Sequence, residues 1–217
     1  MRRFPCTQSV SRPWPVLPLC ASPVGQIMPA ERHEHGQALL TIARAAIANT
    51  LGYPLHADED AAWLQQPGAC FVTLTQHERL RGCIGSLQAH RSLLHDVKAN
   101  AVAAALHDPR FLPLSIEELA HTEIEVALLS ALQALSFDSE AHALAQLRPQ
   151  VDGIVFEYQE HRSIFLPQVW EQLPNPAEFM AQLKRRAGLK ANFWDASVRL
   201  QRYTVTPWRE RAPLTPR

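Results

Sequence analysis

Cys70-Phe71-Val72-Thr73-Leu74-Thr75, the polar link Gln76-His77-Glu78-Arg79 and Leu80-Arg81-Gly82-Cys83-Ile84-Gly85 form one continuous stretch whose reading decides the fold. β-Branched and aromatic residues crowd the first run. A link of about four residues then returns the chain as a second extended run, which makes a β-hairpin. A second hairpin is expected from Gly153–Tyr158 and Ser163–Leu166 across the polar 159–162 stretch. Residues 123–130 read as a buried strand, and 197–206 as a last strand in which Val198, Leu200, Tyr203 and Val205 mark the apolar positions. Hairpins predict a largely antiparallel sheet.

Between these strands lie stretches with helical period. Leu39, Ile42, Ala43, Ala46 and Ile47 recur at helical spacing over 35–51, and Gly52 closes that helix. A short helix is expected over 58–65. A longer one spans 92–107 and stops at Asp108-Pro109, because a residue before proline avoids the α region. Ser115 with Glu118 has the spacing of a capping box, and 139–147 and 176–187 are also helical. Helices of this length must bury their stripe against the sheet, which gives an α+β fold rather than a doubly wound one.

The 217 residues suffice for one substantial core, and 47% hydrophobic with 19% charged residues excludes a disordered chain. The 21 basic and 21 acidic residues cancel, which argues against a basic groove wrapped on nucleic acid. Cys6, Cys20, Cys70 and Cys83 contain no C-x-x-C pair and no cluster spacing, so no zinc ribbon or iron–sulfur loop is encoded and no cofactor is called for. Ten scattered histidines include His33-x-His35 but no H-x-x-x-H pattern, so no metal site is expected. Sparse cysteines fit a reducing, cytoplasmic setting, and no apolar run is long enough for a membrane span. Residues 1–30, with six prolines, read as a disordered leader, with Met28 a plausible start; 31–207 form the domain and 208–217 a polar tail.

The hairpin carries the candidate chemistry. With Thr75 opposite Leu80, regular pairing puts Val72 opposite Cys83 and Cys70 opposite Gly85. Arg81, Cys83 and Gly85 then share one face, with Cys70 diagonally across. Two readings stand. In one, Arg81 lowers the thiol pKa, and Gly82 and Gly85 let a substrate approach bare backbone, making Cys83 a nucleophile, redox thiol or covalent carrier. In the other, Cys83 is a small buried hydrophobe and the glycines let a helix pack closely. Asp108, Arg110 and Phe111 sit in the loop after the long helix. Arg110 is suited to gripping an anionic substrate, and Asp108 to orienting Arg110 or acting as a base. His107 is a further candidate base. Lys184, Arg185, Arg186 and Lys190, with Phe193 and Trp194, form a basic and aromatic cluster. It reads as a solvated helix face or as a phosphate or nucleotide contact, with Lys190 a candidate substrate-binding residue.

Leu80-Arg81-Gly82-Cys83-Ile84-Gly85-Ser86 resembles the signature of the AMMECR domain family, whose prokaryotic members are called AmmeMemoRadiSam system protein A. Further blocks follow in the family's order: Asp108-Pro109-Arg110-Phe111, then Ile124-Glu125-Val126, then Phe165-Leu166-Pro167-Gln168-Val169, then Arg186-Ala187-Gly188-Leu189-Lys190-Ala191. The likeness covers about residues 35–206. Arg186 stands where the family often has lysine, and Ser86 replaces a common threonine. The resemblance implies an α+β fold with a larger and a smaller lobe. It also implies a pathway shared with a Memo-type protein, related to metal-dependent dioxygenases, and a radical-SAM protein. It names no reaction. Three functions therefore stand: a thiol-dependent enzyme or enzyme subunit, a non-catalytic partner of those two proteins, and an RNA- or nucleotide-binding protein.

Overall fold

A computed structural model describes residues 29–210, with side chains from residue 33 onward. The expected leader lies outside the described residues except for its end, which already belongs to a helix. Within the described residues the chain forms five α-helices: α1 (Pro29–Thr50), α2 (Leu93–Leu106), α3 (Ile116–Leu119), α4 (Glu140–Ala145) and α5 (Pro176–Arg186). It also forms eight strands: β1 (Cys70–Gln76), β2 (Arg79–Gly85), β3 (Glu123–Leu129), β4 (Gln133–Ala134), β5 (Gly153–Tyr158), β6 (His161–Phe165), β7 (Arg199–Tyr203) and β8 (Val205–Arg209). They make two antiparallel four-stranded sheets, ordered β2-β1-β3-β8 and β4-β7-β5-β6, so the fold is α+β as expected.

In the larger lobe α1 and α2 cover one face of the first sheet. Leu39, Ile42, Ala43 and Ile47 of α1 and Val97, Ala101 and Ala104 of α2 are buried together against Val72, Leu74, Ile124 and Val126. Small residues on α2 permit a close approach: a Cβ on Gly82 of β2 would lie 2.1 Å from the Ala104 carbonyl oxygen. Ser92 caps α2 by accepting from the His95 amide, and Ser115 and Glu118 form the expected capping box on α3. In the smaller lobe α5 lies on the second sheet over a stacked Trp170–Phe179 pair, with ring centroids 3.7 Å apart. Asn175 caps α5 and Gly188 ends it at φ +82°, a left-handed turn that glycine adopts without strain.

The chain leaves the first sheet after Leu129 and returns to it at Val205. The two crossing points are tied together, the Ser130 amide donating to the Thr204 carbonyl at 2.9 Å and the Thr204 amide to Ser130 Oγ at 3.0 Å. The single strand expected over 197–206 is therefore two strands serving different sheets. The larger lobe's last strand runs through Arg209, past the boundary expected at 207, and is anchored beyond it. Glu210 accepts from Arg44 of α1 and from the Ile124 amide. The expected 58–65 helix is only a 3-10 turn, Ala62–Gln65.

The first hairpin differs from expectation in two ways. Its loop is His77-Glu78 alone, both at positive φ, where four residues were expected. A bulge leaves Arg81 without a partner, because Leu74 pairs with Gly82 while Thr75 pairs with Leu80. Cys83 therefore faces Thr73 instead of Val72, and Gly85 faces Phe71 instead of Cys70. A one-residue slip exchanges the faces of a strand. Cys70 lies in the core with Val72 and Leu74, while Cys83 is on the opposite face of the sheet.

Candidate functional site

Cys83 lies on β2, an edge strand, and its side chain is half-buried on the face away from α1 and α2. That face is ordered in rows by the strand register. Gly85, Phe71, Ala127 and Pro207 form one row. Cys83, Thr73, Glu125 and Arg209 form the next, and Leu80, Thr75 and Glu123 another. Phe71 packs with Leu87, Leu129, Val155, Tyr203 and Ile164, so the smaller lobe closes over the first row. The Cys83 row is its neighbour, one step further from that packing.

On an edge strand alternate amides point away from the sheet, and the one at Cys83 is occupied. Its N–H donates to Asp108 Oδ2 at 2.9 Å, and its carbonyl accepts from Arg110 Nη2 at 3.2 Å. Asp108 and Arg110 are themselves paired: Nε donates to Oδ1 at 2.9 Å, Nη2 to Oδ2 at 2.7 Å, and the Arg110 amide to Oδ1 at 3.1 Å. The loop after α2 thus plays the part of a missing strand and fixes the peptide that bears the thiol. The Asp108 carboxylate is 2% exposed, whereas the Arg110 side chain is 53% exposed. The hydrogen bonds of Arg110, opposed by desolvation and helped by the Cys83 and Arg110 amides, hold the Asp108 carboxyl well below the usual carboxylate range. Both oxygens of Asp108 are committed, to the Cys83 amide and to Arg110. Arg110 is pushed up, first by its hydrogen bonds to Asp108, with the negative charge of a Cys83 thiolate adding to that.

The sulfur has one close polar partner, Thr73 Oγ1 at 3.3 Å. His107, exposed at the end of α2, makes no hydrogen bond to the thiol among the described residues. Glu125, the next side chain along the row, is half-buried and makes no hydrogen bond or ion pair among the described residues. Its cross-strand neighbour Arg209 turns instead to Glu123, at 2.8 Å, and to Thr75 Oγ1, at 3.0 Å.

The other expected site residues are placed differently. Arg81, in the bulge, is bound through Nε and Nη2 to Glu118 of α3, both at 3.1 Å, so it is not the charge that serves the thiol. That pairing, with the Ser115 amide second, lowers the Glu118 pKa. Arg81 Nη1 is buried with no partner among the described residues. The Arg81 and Arg110 guanidinium carbons lie 6.0 and 5.5 Å from the centre of the Phe111 ring, which stands as an apolar post between the two cations. Gly82 is required by the Ala104 carbonyl and Gly85 by the Phe71 ring, 2.3 Å from where its Cβ would be; both are packing glycines and not a substrate cradle. Lys190 lies in the smaller lobe beyond α5, with no link to the Cys83 loop. The basic cluster near it is broken, because Lys184 is buried, donating to Glu140 at 2.7 Å and to the Phe193 carbonyl at 2.9 Å. A depression of about 740 Å³ in the smaller lobe, lined by Leu135, Phe137, Glu157 and Arg199, does not include Cys83. Sequence reading missed Thr73 and Glu125 as neighbours of the thiol. Their alternation was visible, but the bulge that aligns them with Cys83 was not.

The AMMECR1 family model matches residues 40–208. A protein of Methanothermobacter thermautotrophicus is 34% identical, over 84% of this chain and 97% of its own. A protein of Aeropyrum pernix is also 34% identical, over 83% and 81% respectively. The crystal structure of uncharacterized protein PH0010 from Pyrococcus horikoshii superposes with a TM-score of 0.69 at 28% identity, over 84% of this chain and 95% of that one. The thiol hairpin, the Asp108–Phe111 loop and the strand of Glu125 all lie within the matched span, and the chain belongs to the AMMECR1 family.

Proposed function

We propose that the protein acts through the Cys83 thiol on an anionic small-molecule substrate held by Arg110, as the A component of an AmmeMemoRadiSam system beside a Memo-type and a radical-SAM protein. The observation that carries this reading is the clamp on Cys83. A buried carboxylate and a half-exposed guanidinium hold the two ends of its peptide, while the sulfur is left on an open sheet face beside a hydroxyl. A peptide fixed this firmly keeps a nucleophile or carrier thiol in one geometry. No side-chain base lies within hydrogen-bond reach of the sulfur among the described residues, so its proton passes to solvent or to the substrate.

The test is alkylation of the native protein in a Cys6→Ser, Cys20→Ser background. Cys70, buried and with its thiol pKa pushed far up by desolvation, stays silent. A unit charge a few ångströms away is worth about 1 kcal/mol in water, roughly 5-fold in rate. Iodoacetate should therefore gain on iodoacetamide at Cys83, relative to a model thiol, by about 3- to 5-fold, and Arg110→Gln should erase the gain. Equal ratios in both proteins would refute the role of Arg110, and a Cys83 inert to both reagents would refute the thiol reading.

A second reading has its own observation. Leu112 is 83% exposed beside Phe111, and Leu80, on the Cys83 face, is 44% exposed. Apolar residues flanking the clamp suit a docking surface for a protein partner. A complex with the Memo-type or radical-SAM protein that survives Cys83→Ser but not Leu112→Asp would favour docking over chemistry.

A further inference from the structure

Glu125 is the unexplained charge on the thiol-bearing face. Ile124 and Val126 on either side are fully buried in the core, so its side chain must project into the face that carries Cys83 and Thr73. A half-buried carboxylate on a central strand loses hydration and ordinarily recovers it from a counter-ion. The structure offers one, Arg209, directly opposite Glu125 in the register. That guanidinium is committed to Glu123 and Thr75. Glu123 and Arg209 neutralise each other, which leaves Glu125 with no counter-ion among the described residues. On the other side of Cys83, Asp108 is neutralised by Arg110, whose half-exposed guanidinium still faces solvent. The thiol thus stands between a carboxylate unpaired among the described residues and an accessible guanidinium.

From this we infer that Glu125 is a specificity-determining residue, and that the substrate carries a cationic, ammonium-like group at one end and an anionic group at the other. The inference rests on Cys83 being the working thiol. Two strand spacings separate the Cα of Cys83 from that of Glu125, about 10 Å, and Arg110 lies beyond the β2 edge. From Glu125 across to Arg110 is about three strand spacings, so the two charges of the substrate are on the order of 15 Å apart, an extended zwitterion rather than an α-amino acid. The bond within reach of Cys83 lies between them, beside Thr73 Oγ1.

Thiol–disulfide exchange tests the inference without knowledge of the natural reaction. Cys83 thiolate attacks one sulfur of a symmetrical disulfide, a mixed disulfide forms and one thiolate leaves, so no other oxidant is needed. The probes are cystamine, which carries ammonium groups, and 3,3′-dithiodipropionate, which carries carboxylates. They are applied to the intact chain in the Cys6→Ser, Cys20→Ser background, each rate being taken relative to a model thiol. Glu125→Gln should slow cystamine by about 3- to 5-fold and leave dithiodipropionate unchanged or faster. Arg110→Gln should do the reverse. Glu125→Gln keeps shape and polarity, and an unchanged unfolding transition confirms that the comparison is between folded proteins. If Cys83 reacts but Glu125→Gln leaves the cystamine-to-dithiodipropionate ratio within 1.5-fold of the parent, the role of Glu125 is overturned and the thiol reading stands. If Cys83 exchanges with neither probe, the thiol reading falls and this inference with it.

Discussion

Asp108→Asn separates the carboxylate's contribution from the shape of its loop. The side chain is 2% exposed and accepts from the Cys83 amide, the Arg110 amide and two nitrogens of the Arg110 guanidinium. A hydrogen bond to a charged group contributes about 1.5–3 kcal/mol. The bonds to a half-exposed guanidinium count for far less, because solvent screens them. The Cys83 amide therefore dominates, and asparagine, which must also turn an NH2 group toward an amide or a guanidinium, is expected to cost about 2–3 kcal/mol. The pH dependence has a definite sign. Because Arg110 and the two amides depress the folded pKa, the carboxylate's contribution is complete above its unfolded value of 3.8 and is lost as pH falls through the folded one. Urea unfolding followed by tryptophan fluorescence should show the full gap between parent and variant near neutral pH. The gap should narrow toward zero at pH values well under 3.8. A loss under about 0.5 kcal/mol near neutral pH, well short of the charged-bond range, would refute the clamp, as would a gap that does not change with acidification.

Two substitutions test the hairpin itself. Gly82→Ala places a methyl 2.1 Å from the Ala104 carbonyl oxygen and 3.0 Å from its carbon, and backbone cannot swing aside as a side chain can. The expected loss is about 1–3 kcal/mol or more, read as a lowered melting temperature, and an unchanged melt would show that α2 is not seated on β2. Glu78 is held at φ 62° in a two-residue turn after His77 at φ 49°. Glu78→Gly should therefore raise stability by about 0.5–1 kcal/mol in urea unfolding. A variant no more stable than the parent would mean that the positive φ is not strained.

Most helices and strands were legible because their signals are local, whereas the two-residue β4 and the switch from β7 to β8 were not. Ser115 with Glu118, the alanine-rich face of α2 and the stop at Asp108-Pro109 each need only neighbours in sequence to act. The chemistry of the site is not local. Spacing puts Lys184 on the buried stripe of α5, four residues after Met180, but that its ammonium can stay there follows from Glu140 and the Phe193 carbonyl meeting it, which no local pattern announces. Asp108 was visible as a loop carboxylate. Its real partner is a backbone amide 25 residues earlier in the chain, and no motif announces that pairing.

The bulge at Arg81 has the largest consequence. Without it, regular pairing from Thr75 and Leu80 would set Cys83 opposite Val72, a residue with no exposure at all, and the thiol would point into the core against α2. Gly82 and Ile84 would then take the open face, and the close seat of Ala104 on Gly82 would be lost. One unpaired residue thus meets two requirements, a glycine against the helix and a sulfur on the opposite face, which strict alternation from the turn would exchange. Arg81 is suited to the unpaired position because its side chain reaches Glu118, so the ion pair to α3 and the capping box at Ser115 hold the bulge in register. The same arginine that looked like the activator of Cys83 is better understood as what keeps Cys83 facing outward.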